Sequence, residues 1–320
     1  MSLIALLMED IWKDKFKKLG DLKLRQSSIR KFRYCPRQFY YDIISREERE
    51  TYKKPAYFTL GSYFHQYVEE YSLGIEIQPE RILRECWERD GDVDADFSDV
   101  LFKIDNKEIF YGMSLNDLAV KVCVYLDAMG FEPERVESLE KMKLGGVEIT
   151  GTPDLVSVNR LTGERYVLDL KTSGLWRKFF GKGSLSAVKY DVNQITFATQ
   201  LQHYDWMLYR LHGIKADMYG YICPVNFIPV TTGKNAGNLR GDPISVAPAA
   251  TLEQLKEIYE YDLLGTAKEI ARCRDRDDWP RSRPETYGKL DCVSCRHRDA
   301  CLGQRDFRFD TPDFIDEDLG

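Results

Sequence analysis

No apolar run in this chain is long enough to cross a bilayer, and no secretory leader is evident, so a cytoplasmic protein without a membrane partner is expected. A surplus of positive charge is missing too. The formal net charge of -6 argues against a protein that coats polyanions, while leaving room for a local basic patch. Internal repeats and low-complexity linkers are absent. Histidine is scarce, with four in 320 residues, so each one is a candidate worth weighing. Without a secretory context, the eight cysteines are not expected to form disulfides.

What is present is enough apolar material for a sizeable core. The hydrophobic content is 43%, sufficient for one large domain or two small ones. Residues 5–19 have the pattern of a short amphipathic helix. Ser27 and Ser28 are good N-caps for the helix that follows, which Pro36 would kink or restart. Further helices are expected at 59–74, 79–90, 114–130, 193–211 and 252–273. Strands are expected near 135–143, 147–150, 153–158, 165–171, 216–223 and 227–231. Helices on a mixed central sheet make an α/β fold, with 75–132 as a helical insertion.

One hairpin carries more than packing. TPDLVSVNRLTGERYVLDLKTS, residues 152–173, is two β-branched strands joined by Asn159-Arg160-Leu161-Thr162-Gly163. A pivot near residues 161 and 162 sets opposite each other the positions whose numbers sum to about 323, and Asp154 and Asp169 are such a pair. Lys171 follows Asp169 by two and shares its face. Two carboxylates this close repel unless a cation sits between them, and Mg²⁺ or Mn²⁺ suits oxygen donors. The plainer alternative is a salt bridge from Lys171 to one aspartate, with the other at a strand end.

Two further features are ambiguous when taken singly. Gln200 and Tyr204 are four apart and share a helix face, which is either an anion- or lysine-binding pair or simply a polar face. His65 lies on a helix just after Gly61 and becomes a ligand only if that helix packs beside the two aspartates.

In order along the chain, LGSYFHQYVEE, GTPDLV, LDLKT and QLQHY resemble the motifs of the RecB-like branch of the PD-(D/E)XK nucleases. The resemblance implies a restriction-endonuclease-like core and a metal-dependent deoxyribonuclease. It implies that His65, Asp154, Asp169 and the Leu170 carbonyl bind Mg²⁺ or Mn²⁺ and that Lys171 orients or activates water. Gln200 and Tyr204 would hold the lysine or the DNA backbone, and Glu69 is a second-rank acid. Such residue types suit phosphodiester hydrolysis, which needs a nucleophile at neutral pH and a cation against developing charge.

Cys86, Cys123, Cys223 and Cys273 stand isolated and read as core residues. Cys292, Cys295 and Cys301 form C-x2-C-x5-C, close enough to share a metal centre, with Cys35 as the fourth ligand. An amino-terminal cysteine paired with this run resembles the [4Fe–4S] staple of iron–sulfur RecB-like nucleases, such as the CRISPR-associated Cas-four-type exonucleases and the AddB nuclease domain. Zn²⁺ is the rival, since His297 lies within the run.

These readings make residues 1–24 a helical extension, 25–305 one nuclease domain and 306–320 an acidic tail. Arg177, Lys178 and Lys182, together with Trp176, are either DNA contacts, since basic residues among aromatics suit single strands, or a solvated loop with an aromatic anchor. The expected substrate is single-stranded DNA or DNA with free ends, in recombination, repair, phage DNA processing or CRISPR adaptation. No G-x-x-x-x-G-K-[ST] motif is present, so unwinding would fall to a helicase, with a recombinase or CRISPR integrase as other partners. The competing function is a non-catalytic DNA-binding or recombination scaffold with a structural cluster. It has no chemical need for Lys171 beside two aspartates.

Overall fold

The computed structural model describes residues 23–44, 55–91, 93–144, 147–181 and 183–280, together with Cys295, His297 and Cys301. The helix expected at 5–19, the acidic tail, Lys182 and Cys292 lie outside the described residues. The chain divides into two compact units, Met1–Gln26 with Arg49–Gly265, and Ser27–Glu48 with Thr266–Gly320.

The elements run in the order β1 (Lys23–Arg25), α1 (Gln26–Tyr34), α2 (Pro36–Phe39), α3 (Ala56–Ser72), α4 (Pro79–Asp90), α5 (Phe97–Asp105) and α6 (Leu115–Ala128). There follow β2 (Phe131–Val136), β3 (Glu140–Leu144), β4 (Val147–Gly151), β5 (Leu155–Asn159), β6 (Arg165–Leu170), α7 (Trp176–Phe179), α8 (Val192–Thr196) and α9 (Thr199–His212). The last are β7 (Met218–Ile222), β8 (Ile244–Pro248), α10 (Leu252–Leu255) and α11 (Tyr261–Arg276).

The larger unit is built on a five-stranded mixed sheet of order β2-β5-β6-β7-β8, parallel only between β6 and β7. A second, three-stranded sheet has the order β1-β4-β3. Tyr166, Leu168 and Leu170 of β6 join the apolar core formed by α3 and the insertion helices α4, α5 and α6. By the two-residue period of a strand, Val167 and Asp169 then face the other way, toward α9, which packs against β6, β3 and β4. That packing is close: a Cβ at Gly151 would meet Met207 Sδ at 3.0 Å and Tyr204 Cδ1 at 3.2 Å.

The hairpin has the expected register, Leu155 opposite Leu168 and Val156 opposite Val167. Asn159 builds the turn, its Oδ1 accepting from the backbone N–H of Leu161 at 2.9 Å, while Gly163 takes φ +76°. The turn is tied to the end of α6. Asn159 Nδ2 donates to Met129 O at 3.2 Å, and Arg160 N to Gly130 O at 2.9 Å.

Several elements differ from expectation. The strand expected at 135–143 is broken after Val136, and its halves join different sheets. The 193–211 helix is interrupted between Thr196 and Thr199, with Asp191 capping the first piece. The strand expected at 227–231 is reduced to a single antiparallel bridge, Pro229 to Leu239, after a 3₁₀ turn, Pro224–Phe227, whose Asn226 bonds Val188 N and O and Asp242 O. Helix α5 was not expected; Asp96 caps it by accepting from Asp99 N. Short β1 and strand β8 were not anticipated.

In the smaller unit, Pro36 does restart the helix, giving α2 and then one wide turn, Tyr40–Ile44. Phe39 packs edge-on against Phe32 and stacks on Trp279. Arg37 Nε donates to Trp279 O at 2.9 Å. Asp42 is buried and pairs with Lys31 and with His297 Nε2, the latter at 2.6 Å.

Candidate metal and hydrolytic site

Asp154 and Asp169 sit at the same end of the two hairpin strands, one residue outside the last paired positions and one residue inside β6. Asp154 Oδ2 accepts from Leu170 N at 2.7 Å, which fixes one carboxylate against the other strand. Helix α3 carries His65 to the same place: its Nδ1 lies 3.4 Å from Asp154 Oδ2.

A residue absent from the sequence reading completes the group. Glu137 Oε1 lies 3.2 Å from the same His65 nitrogen, and Glu137 N donates to Asp154 O at 3.1 Å. Glu137 follows β2 in a left-handed conformation, φ +43°, which few non-glycine residues adopt. That kink ends the strand and aims the carboxylate inward. One donor atom from each of His65, Glu137 and Asp154 falls within 4.8 Å of the others, a grouping that no other set of described residues matches. Nothing in the motif spacing marks Glu137. A strand read as continuous from 135 to 143 would have hidden it in the pleat.

Asp169 is 2% exposed, and Lys171 Nζ lies 2.5 Å from its Oδ2. Lys171 also donates to Gln200 Oε1 at 3.0 Å, and Gln200 Nε2 donates to the Tyr204 hydroxyl at 3.0 Å. The Lys171 ammonium stands 5.0 Å over the Tyr221 ring. On α9, Gln200 thus bonds the lysine and Tyr204 bonds Gln200.

The electrostatics are those of a negative surplus. Burial and the charge of Asp154 push the Asp169 carboxyl up to about 7, against the pull of Lys171. Burial and Asp154 raise Glu137 as well, although the His65 hydrogen bond opposes this. Burial works against charge on His65, but Asp154 and Glu137 outweigh it and raise its pKa well above the usual value. Glu69 lies outside the close group; burial first, then Glu137 and Glu70, raise its pKa.

The site opens into a groove of about 570 Å³ lined by α3, by Leu170–Ser173 and by α7, including Tyr57, Phe58, His65, Lys171, Trp176 and Arg177. Of the expected DNA contacts, Arg177 and Trp176 line this groove, Trp176 being 9% exposed and packed edge-on against Phe179. Lys178 instead places its ammonium 4.7 Å over Tyr111. Of the four expected cluster ligands, Cys35 is buried, Cys295 and Cys301 are half-buried, and Cys292 lies outside the described residues.

Two carboxylates and one imidazole lie within 4.8 Å of one another, with the buried Asp169 and Lys171 beside them at the end of the central strand β6, and together they form a candidate divalent-metal site. The donor set fits such an ion: oxygen donors dominate, and a cation would offset the burial and the charge of Asp154 that together raise the Asp169 carboxyl. The chain belongs to the PD-(D/E)XK nuclease superfamily, whose family model matches residues 23–302. It is thus a metal-dependent nuclease acting on DNA. A comparison with curated proteins returns no match. Among the described residues no helix is long and apolar enough to cross a membrane.

Proposed function

We propose that the protein is a single-strand-preferring DNA exonuclease of the RecB-like branch, working on DNA ends in recombination, repair, phage DNA processing or CRISPR adaptation. The observation that carries the reading is the buried Asp169 facing Asp154, with Lys171 against it and His65 converging from α3. In this reading His65, Asp154, Asp169 and the Leu170 carbonyl hold the ion, and Glu137 joins them as a further carboxylate. Bound Mg²⁺ or Mn²⁺ would supply a Lewis acid for the phosphate and lower the pKa of water. Lys171, fixed by Gln200 and Tyr204, places a positive charge where the attacking water and the developing oxyanion meet. End-labelled single-stranded DNA incubated with Mn²⁺ tests this. Wild-type protein should shorten it from an end and Asp169→Ala should not, whereas a folded Asp169→Ala protein that cleaves at the wild-type rate would overturn the assignment.

The same reading makes Cys35, Cys292, Cys295 and Cys301 the ligands of a [4Fe–4S] cluster that staples residues 25–305 into one domain. Support comes from the compact unit that joins Ser27–Glu48 to Thr266–Gly320, since both cysteine segments fall within it. His297 is engaged elsewhere, with Nε2 on Asp42 and its ring stacked on Tyr41, which weighs against zinc ligation through that nitrogen. Anaerobically purified protein should be brown with broad absorbance near 400 nm, as thiolate-bound iron–sulfur centres are. Colourless protein with one zinc per chain would replace the cluster and leave the hydrolytic site standing.

A further inference from the structure

Helix α3 presents more than His65 to the groove. Positions 57, 58, 61, 62 and 65 recur at helical spacing and form one stripe, and all five line the groove together with Lys171 and Arg177. At the far end of the stripe Tyr57 and Phe58 are 41% and 51% exposed, with ring centroids 4.4 Å apart and planes tilted by 35°. Their backbone is held firmly. Ala56 N donates to Asp94 Oδ1 at 2.7 Å, Thr59 Oγ1 donates to Asp90 Oδ2 at 2.7 Å, and Leu60 is fully buried. Gly61 and Ser62 keep the floor low between the rings and His65, and a Cβ at Gly61 would point to Thr172 Oγ1, 3.7 Å away.

We propose that Tyr57 and Phe58 are a stacking platform for an unpaired base of the substrate strand. The inference rests on the nuclease reading above and names what that site admits. A rise of 1.5 Å per residue puts the platform roughly 10–12 Å along the helix from His65, within a few nucleotides of the scissile phosphate. Arg177 lines the same groove and supplies positive charge for the phosphates between. Flat aromatic surface beside positive charge is the chemistry that binds single strands, because base faces are exposed only when the duplex is open. The platform therefore selects a frayed or single-stranded end over a closed duplex.

The test measures binding, not turnover. A fluorescein-labelled single-stranded oligonucleotide and a closed hairpin duplex are titrated by anisotropy with Ca²⁺, in an Asp169→Ala background so that neither is cut. Adding Tyr57→Ala and Phe58→Ala should weaken single-strand binding by at least about 5-fold, the low end for a lost base–aromatic stack, and leave the duplex unchanged. Tyr57→Leu with Phe58→Leu keeps apolar bulk at the helix start and should weaken binding equally, while Tyr57→Phe with Phe58→Tyr should restore it. An abasic residue walked along the strand should cost affinity at one or two positions in the parent and nothing there once the rings are removed. Unchanged single-strand affinity, an equal loss on the duplex, or an abasic penalty that survives loss of the rings would overturn the platform while leaving the nuclease reading intact. An Asp169→Ala parent that binds the closed duplex but not the single strand would overturn the single-strand reading, and the platform with it.

Discussion

Asp205 and Asp169 are both shut away from solvent, at 0% and 2% exposure, yet their surroundings differ in kind. Asp205 on α9 receives Ala216 N at 2.8 Å, Lys215 Nζ at 2.6 Å and the Tyr219 hydroxyl at 2.7 Å. Three donors close around two oxygens, and the charge serves to lock α9 to the start of β7. Asp169 shares Lys171 with Gln200 and faces the field of Asp154, whose neighbours are His65 and Glu137. Burial raises both carboxyls, but only in the second region is negative charge left in surplus beside an open groove. A buried charge whose partners balance it is architecture; one left under-compensated at a groove is a candidate functional site.

Substitution at the two aspartates should separate these roles most sharply. Asp169→Ala should lower cleavage by on the order of 10³-fold, with unfolding midpoints in denaturant unchanged or higher because carboxylate repulsion is relieved. Asp205→Ala should do the reverse. It should cost about 3–5 kcal/mol in urea unfolding by orphaning Tyr219 and Ala216 N, while the folded fraction keeps its Mn²⁺ affinity.

His203 offers a third case, buried and uncharged. Its Nε2 meets Thr150 O at 3.2 Å, and complete burial lowers its pKa from 6.5 to about 4. A depressed pKa means that the neutral form is favoured in the fold. Its stabilisation is complete above the unfolded value near 6.5 and is lost as pH falls through about 4, for a total of about 3 kcal/mol. Stability measured from pH 7.5 down to 4 should therefore fall by about that much more in the wild type than in His203→Asn; parallel curves would show that His203 is not the titrating group.

The smallest effect tests the surplus itself. Mn²⁺ at 100 times its dissociation constant should stabilise the metal-free wild-type protein by about 2.7 kcal/mol, read as a rise in melting temperature. Glu137→Gln should weaken Mn²⁺ binding by about 10-fold or more in calorimetry without DNA. An unchanged affinity would leave Glu137 as a brace for His65 alone.

Much of this was legible because some residues carry their geometry in their spacing. The Asn159–Gly163 turn fixes a pivot, and the pivot fixes which side chains oppose, so the facing of Asp154 and Asp169 could be read by arithmetic. Gln200 and Tyr204 are four apart on α9, so Tyr204 can accept from the Gln200 amide whose oxygen accepts from Lys171. Glu137 was not legible, because a left-handed glutamate is set by tertiary packing and no turn residue announces it. Tyr57 and Phe58 could have been found by extending the helical period back from His65 to 61, 58 and 57. Strand β1 pairs in parallel with β4, more than a hundred residues away, and three residues leave too little pattern to detect. The break between β2 and β3 was missed because polar alternation continues across it while the backbone changes sheet.

The ties between Asn159, Arg160 and the end of α6 give the helical insertion a job in alignment. In machining terms, α6 is the fixture against which two strands are indexed before Asp154 and Asp169 are set. Adding one residue to α6 would rotate its last carbonyls by about 100° away from the turn. Freed from that stop, the hairpin could slip by one residue, and a single slip carries Asp154 to the face opposite Asp169. The tolerance of the candidate site is thus held at the far end of the hairpin, by a segment outside the group of His65, Glu137 and Asp154.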